Sequence, residues 1–247
     1  MAVMSLTELW HEVVGTQADP PRWLIFGAGA VALAAVAPRP VWRLTRNAVT
    51  IAHEGGHALV ALCTGRRLSG IRLHADTSGV TVSYGKPHGP GMVMTALAGY
   101  IAPALLGLGG AALVGTGHIT ALLWSCVVLL GLMLLMIRNW FGLLTLLATG
   151  AAVFIVTWYA TAQVQAAFAD FAVWFLLFGG VRPVFELQWQ RRRGRAPQSD
   201  ADQLARLTGV PGLAWVLLFG VVALGSTLLG AHWLVPHWTN SVALPHR

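Results

Sequence analysis

Long apolar runs dominate this chain, and short polar connections punctuate them. Seven runs have the length and composition of membrane-spanning helices: 22–38, 47–64, 92–114, 119–137, 140–158, 164–181 and 211–235. Two connections are more than linkers. In 70–85, "GIRLHADTSGVTVSYG", apolar positions (Ile71, Leu73, Ala75, then Val80, Val82, Tyr84) alternate with polar ones on either side of the turn-forming "DTSG". Period-two alternation around such a turn predicts a β-hairpin. The loop 182–209 ends in "SDADQLARLTGVPG", where Ser199 followed by Asp202 suits a capping box. A short helix over about 200–208 is expected there, closed by Gly209 and Pro211. The predicted fold is an all-α polytopic membrane protein of about seven transmembrane helices in one domain, 1–247, with a small membrane-associated hairpin.

Composition agrees with a bilayer as solvent. Only 10% of the 247 residues are charged and 56% are hydrophobic, against about 25% charged in a soluble domain. The net charge of +7 comes from arginines that cluster between the runs. This is the pattern of membrane orientation, and it argues against a nucleic-acid face even for "RRRGR" at 191–195. Seven alternating spans put Arg22, Arg66, Arg67, Arg72, Lys86, Arg138, Arg182, Arg191, Arg192, Arg193, Arg195 and Arg206 on one side, leaving Arg39, Arg43, Arg46 and Arg247 on the other. Twelve against four predicts a cytoplasmic N-terminus, with the 65–91 and 182–209 loops also in the cytoplasm. Cys63 and Cys126 both sit in apolar runs and read as packing residues, not as a disulfide or a thiolate cluster.

Against this background the second run is anomalous: "TIAHEGGHALVALCT" places three ionisable groups at membrane depth. Each such residue costs roughly 2.5–3.5 kcal/mol near mid-bilayer, so polar side chains there usually mark function. His53 and His57 are four apart and share one helix face. With Glu54 beside the first, they form the HExxH pattern, in which two imidazoles bind a zinc ion (Zn2+) and the glutamate serves as general base toward water. Gly55 and Gly56 leave room beside the ligands for another backbone. His74 and the other histidines lie in turns or near segment ends and read as solvated.

The stretch "HEGGHALVALCTGRRLSGIRLH" (53–74) resembles the site-2 protease class of intramembrane zinc metallopeptidases, and in particular a compact bacterial branch of it. The resemblance implies an integral protein of the bacterial cytoplasmic membrane that cleaves membrane-protein substrates in or near the bilayer. It also implies His53 and His57 as ligands and Glu54 as the catalytic base. A transmembrane helix pairs its own backbone, so a substrate must unwind. An enzyme strand edge can hold the unwound segment by β-augmentation, and Ile71, Leu73, Val80 and Val82 of the hairpin are the candidate substrate-binding residues. The class usually draws its third ligand from a leucine-aspartate-glycine motif, which is missing here. Asp170, Asp200 and Asp202 remain. Asp170 is the one aspartate inside a span, whereas the other two sit on the "SDADQLARL" helix. About nine residues separate His57 from Arg66, roughly 13 Å along a helix, which a short helix dipping from the cytoplasmic side can cover. The compact branch carries a similar "SDA" segment, which favours Asp200. Two other functions stay open: a non-proteolytic membrane protein that keeps the metal site for binding or assembly, and a transporter that uses the three groups as a polar relay.

Overall fold

The structure, a computed structural model, describes residues 6–18, 20–194, 196 and 198–235. Arg195, His237, His246 and Arg247, which entered the charge and histidine readings, lie outside the described residues. Ten helices and one hairpin follow in order: α1 (Leu6–Val14), α2 (Arg22–Val36), α3 (Arg39–Thr45), α4 (Asn47–Cys63), β1 (Arg67–Leu73), β2 (Gly79–Tyr84), α5 (Pro90–Gly115), α6 (Ile119–Met136), α7 (Trp140–Tyr159), α8 (Ala162–Arg192), α9 (Asp200–Thr208) and α10 (Gly212–Leu234).

The count of about seven spans is not reached. Five helices (α5, α6, α7, α8 and α10) are long and apolar enough to cross a membrane, and six crossings result if α2 and α3 count as one bent span. The reason lies in "APRP" (37–40). Pro38 has no N–H to continue the helix and its own backbone is extended (φ −75°, ψ 130°), so α2 stops at Val36 and α3 leaves at 99°. Arg182 of α8 donates to the carbonyls of Val36 and Ala37, and the Thr45 hydroxyl donates to Ala35 O at 2.9 Å. The carbonyls left open by the break are thus satisfied. From there α4 is a short helix of 17 residues, and its first turns already pack at the depth of Gly179 through Val49. α2 and α4 therefore make one broken passage between them.

This changes the topology. At one end of the bundle Gln17 N donates to Gly117 O, and the Gln17 amide donates to Thr120 Oγ1 and Gln165 Oε1 at 2.8 and 3.0 Å. The start of α5 lies at the other end, where Gly91 packs on Thr64 at the close of α4. The N-terminal segment and the hairpin thus sit at opposite ends, contrary to the expectation that they share a side. Arg39, Arg43 and Arg46, which the charge count set apart from Arg182, line one cavity with it. The expected loop 182–209 is largely helical as well. α8 runs on through Pro183 to Arg192, with Arg182 and Glu186 paired one turn apart at 2.9 Å.

The hairpin forms close to where alternation places it, with Leu73 paired to Gly79 and Arg67 to Tyr84. It lies back along α4. The Thr50 hydroxyl donates to Thr77 O in the turn at 2.9 Å. The outer edge of β1 is not free: Ile71 bridges Ile137, Arg138 N donates to Ile71 O, and the Asn139 amide receives Leu73 N and donates to Leu73 O, at 3.1 and 2.6 Å. Among the described residues, the outer edge of β2 has no backbone partner. Ile71 and Leu73 are 1% exposed and pack with Ile51, Met133 and Leu146. They are core residues, unavailable to a substrate, whereas Val80 and Val82 are exposed. Trp42 is buried beneath Arg46 and Arg182.

An impermeant maleimide tests the topology in a Cys63→Ser/Cys126→Ser background. Ala18→Cys and Ser78→Cys should label from opposite faces of sealed vesicles, with the Ser78→Cys face cytoplasmic by its excess of arginine. Labelling from one face contradicts the broken passage.

Candidate metal centre

The helical spacing of α4 brings the two imidazoles together: His53 Nε2 and His57 Nε2 lie 3.2 Å apart, and the ring planes meet at 86°. The third member arrives on α9. Ser199 caps that helix by accepting from Asp202 N, and Ala201 and Leu204, both fully buried, press it onto Ala96, Val184, Leu187 and Phe219. Asp202 does not face the imidazoles. Arg191 holds it with bonds of 2.7 and 3.1 Å to Oδ1, and that guanidinium keeps its carboxyl below the usual carboxylate range. With α9 fixed in this way, Asp200 Oδ2 sits 3.3 Å from His53 Nε2 and 3.2 Å from His57 Nε2. Burial opposes charge on Asp200, but the neighbouring imidazoles of His57 and His53 outweigh it and hold the carboxyl well below its ordinary range.

Is this cluster a hydrogen-bond network or a metal site? His57 Nδ1 lies 2.7 Å from Thr95 O. A carbonyl only accepts, so the proton sits on Nδ1; in the neutral ring Nε2 then presents a lone pair. Asp200 Oδ2 is buried and makes no hydrogen bond although two nitrogens are close, so the contacts have the distance but not the direction of donation. Three donor atoms 3.2–3.3 Å apart are close to the edges of a tetrahedron around zinc, whose bonds of about 2.0–2.2 Å place ligands about 3.3–3.6 Å from one another. His53, His57 and Asp200 could therefore hold a metal ion. The Thr95 carbonyl fixes the His57 ring in the way ligating histidines are usually oriented.

Two close approaches build the room around it. A Cβ on Gly56 would stand 2.4 Å from Ala102 Cβ, so α4 and α5 meet this closely because Gly56 has none. A Cβ on Gly99 would stand 2.3 Å from His57 Nε2 and 2.7 Å from His53 Cε1, inside the space the ligands share. Tyr100, the next residue, sets its ring edge-on to His53 at 4.9 Å and stacks on Phe219.

Glu54 is 4% exposed. Its carboxylate receives the Thr81 hydroxyl at 2.7 Å, and the β2 backbone at Gly79 lies directly against its side chain. The hairpin thus borders the site through its open strand. Asp170 is fully buried within α8 without a hydrogen-bond partner and is not among the clustered ligands. Thr81, Thr95 and Gly99 escaped sequence reasoning. Thr81 lies at a polar position of an alternating strand, but nothing local marks the others.

The fold and the cluster together define a membrane protein with a candidate metal centre on a broken span. Residues 26–230 match the peptidase M50B-like family, and the chain belongs to this site-2 protease-like family of membrane peptidases. No curated protein and no solved structure matches it.

Gly99→Ala puts a methyl group where the imidazoles converge. The variant should accumulate and keep its helix content while losing more than tenfold in zinc affinity, read by competition with a chromogenic chelator. Unchanged affinity contradicts this account of the site.

Proposed function

We propose that this chain is a zinc-dependent intramembrane endopeptidase that hydrolyses peptide bonds of membrane-protein substrates. One observation carries the reading: a buried carboxylate without a hydrogen bond stands within 3.3 Å of two imidazole nitrogens, beside a glutamate on the same helix as the imidazoles. His53, His57 and Asp200 would hold the ion. Zinc, when bound, supplies a Lewis acid that polarises the scissile carbonyl and makes water acidic enough to attack near neutral pH.

The protein supplies the rest. Glu54 takes the proton from the attacking water and delivers it to the departing amine. Thr81 donates to Glu54 Oε2, which fixes the carboxylate and leaves its other oxygen for that transfer. Gly79 and Thr81 of β2 lie against Glu54, so an extended substrate segment paired to the open edge of this strand is brought near the base. Exposed Val80 and Val82 then meet apolar substrate side chains. Asn139 and the Ile137–Arg138 backbone occupy the opposite edge, so substrate enters on one side only. Arginine content favours the hairpin and α9 facing the cytoplasm.

A panel of full-length variants with a fluorescent transmembrane substrate in proteoliposomes tests this reading. Wild type should bind one zinc per chain. His57→Ala and Asp200→Ala should lose metal and activity together. Glu54→Gln should keep zinc and lose at least a thousandfold in kcat. Val80→Asp with Val82→Asp should keep zinc and lose at least tenfold in kcat/KM. Full activity in Glu54→Gln overturns the peptidase reading, and an unaffected Val80/Val82 variant overturns the strand-edge reading alone.

A further inference from the structure

Away from the candidate metal centre, the break between α2 and α3 opens a cavity of about 790 Å³ between α2, α3, α8 and α10. Four arginines line it (Arg39, Arg43, Arg46 and Arg182), together with a single acid, Glu186. Arg182 is engaged with Glu186 at 2.9 Å and with the carbonyls of α2. Arg46 reaches Glu186 at 3.6 Å and also lies over the Trp42 ring. Arg39 and Arg43 are exposed and form no ion pair among the described residues. The lining therefore carries an excess of three positive charges.

The remaining wall is apolar: Leu33, Phe178, Phe185 and Leu224, of which Leu33, Phe185 and Leu224 are 51%, 66% and 47% exposed. This cavity joins a cationic rim to a hydrocarbon-like wall on a membrane-embedded bundle. A soluble anion has no use for the wall, and a neutral lipid none for the rim.

We propose that this cavity binds one anionic phospholipid, its phosphate between Arg39 and Arg43 and an acyl chain along Leu33, Phe185 and Leu224. Guanidinium groups pair bidentately with phosphate, and basic pockets between membrane helices are suited to anionic headgroups. The bound lipid fills the gap left by the broken span and braces α3, which leads directly into the helix carrying His53 and His57. The inference rests on residence in a membrane and is independent of peptidase activity.

Native mass spectrometry of the full chain in detergent is the test, with phosphatidylglycerol, phosphatidylcholine of the same acyl chains, or inorganic phosphate added. One retained phosphatidylglycerol is expected, preferred over phosphatidylcholine. At about fivefold per arginine, Arg39→Gln with Arg43→Gln should weaken it roughly 25-fold. Arg67→Gln with Arg72→Gln removes the same charge from the exposed hairpin and should leave binding within about twofold. Equal binding of phosphatidylcholine, equal loss in the two double variants, or displacement by equimolar inorganic phosphate overturns the proposal.

Discussion

Three electron-rich atoms on two helices, each within 3.3 Å of the others, are the constraint around which the rest of this structure is arranged. Holding them this close needs positive charge among them, from a proton on an imidazole or from a metal cation, and the buried Asp200 oxygen makes no hydrogen bond in compensation. Burying an unpaired carboxylate is costly, so the fold holds α9 in place by other means. Ala201 and Leu204 bury their side chains completely, and the Arg191–Asp202 pair pins the first turn. The two aspartates of "SDAD" thus divide the work: Asp202 fixes the helix, and Asp200 is left with its charge aimed at the imidazoles.

The same economy governs the backbone at the hairpin. A strand edge in an apolar setting must find partners for its N–H and C=O groups. β1 obtains them on both sides, from β2 and from the 137–139 segment, with the Asn139 amide standing in for a peptide group. β2 is left with one open edge, and Gly79 and Thr81 of the same strand lie against Glu54. An unsatisfied edge is a liability in most proteins. Under the proposed function, the same edge would be a place for a second extended chain. The break between α2 and α3 shows a related device, since Arg182 caps the carbonyls that the proline leaves open.

Much of this was legible in the sequence. Alternation around "DTSG" located the hairpin, the i, i+4 spacing located the imidazole pair, and Ser199–Asp202 marked the start of α9. What failed was inference from apolar length alone. Residues 22–38 and 47–64 each read as a span, but hydropathy carries no direction. Pro38 turns the chain so that the two segments share one passage, and Arg39, Arg43 and Arg46 gather around Arg182. Alternation likewise marked apolar positions in both strands of the hairpin, yet the register pairs Ile71 with Thr81 and Leu73 with Gly79, so Ile71 and Leu73 pack into the core while Val80 and Val82 do not. Among Asp170, Asp200 and Asp202 the "SDA" resemblance favoured Asp200, but the contact that turns Asp202 away, with Arg191 eleven residues earlier in the chain, is one that no local pattern announces.

X-ray absorption at the zinc edge on the purified full-length protein tests the central claim most directly. The account predicts one zinc per chain with two imidazole nitrogens at about 2.0–2.1 Å, oxygen in the remaining positions, and no zinc retained by Asp200→Ala. A shell dominated by sulfur, or one without imidazole scattering, contradicts it.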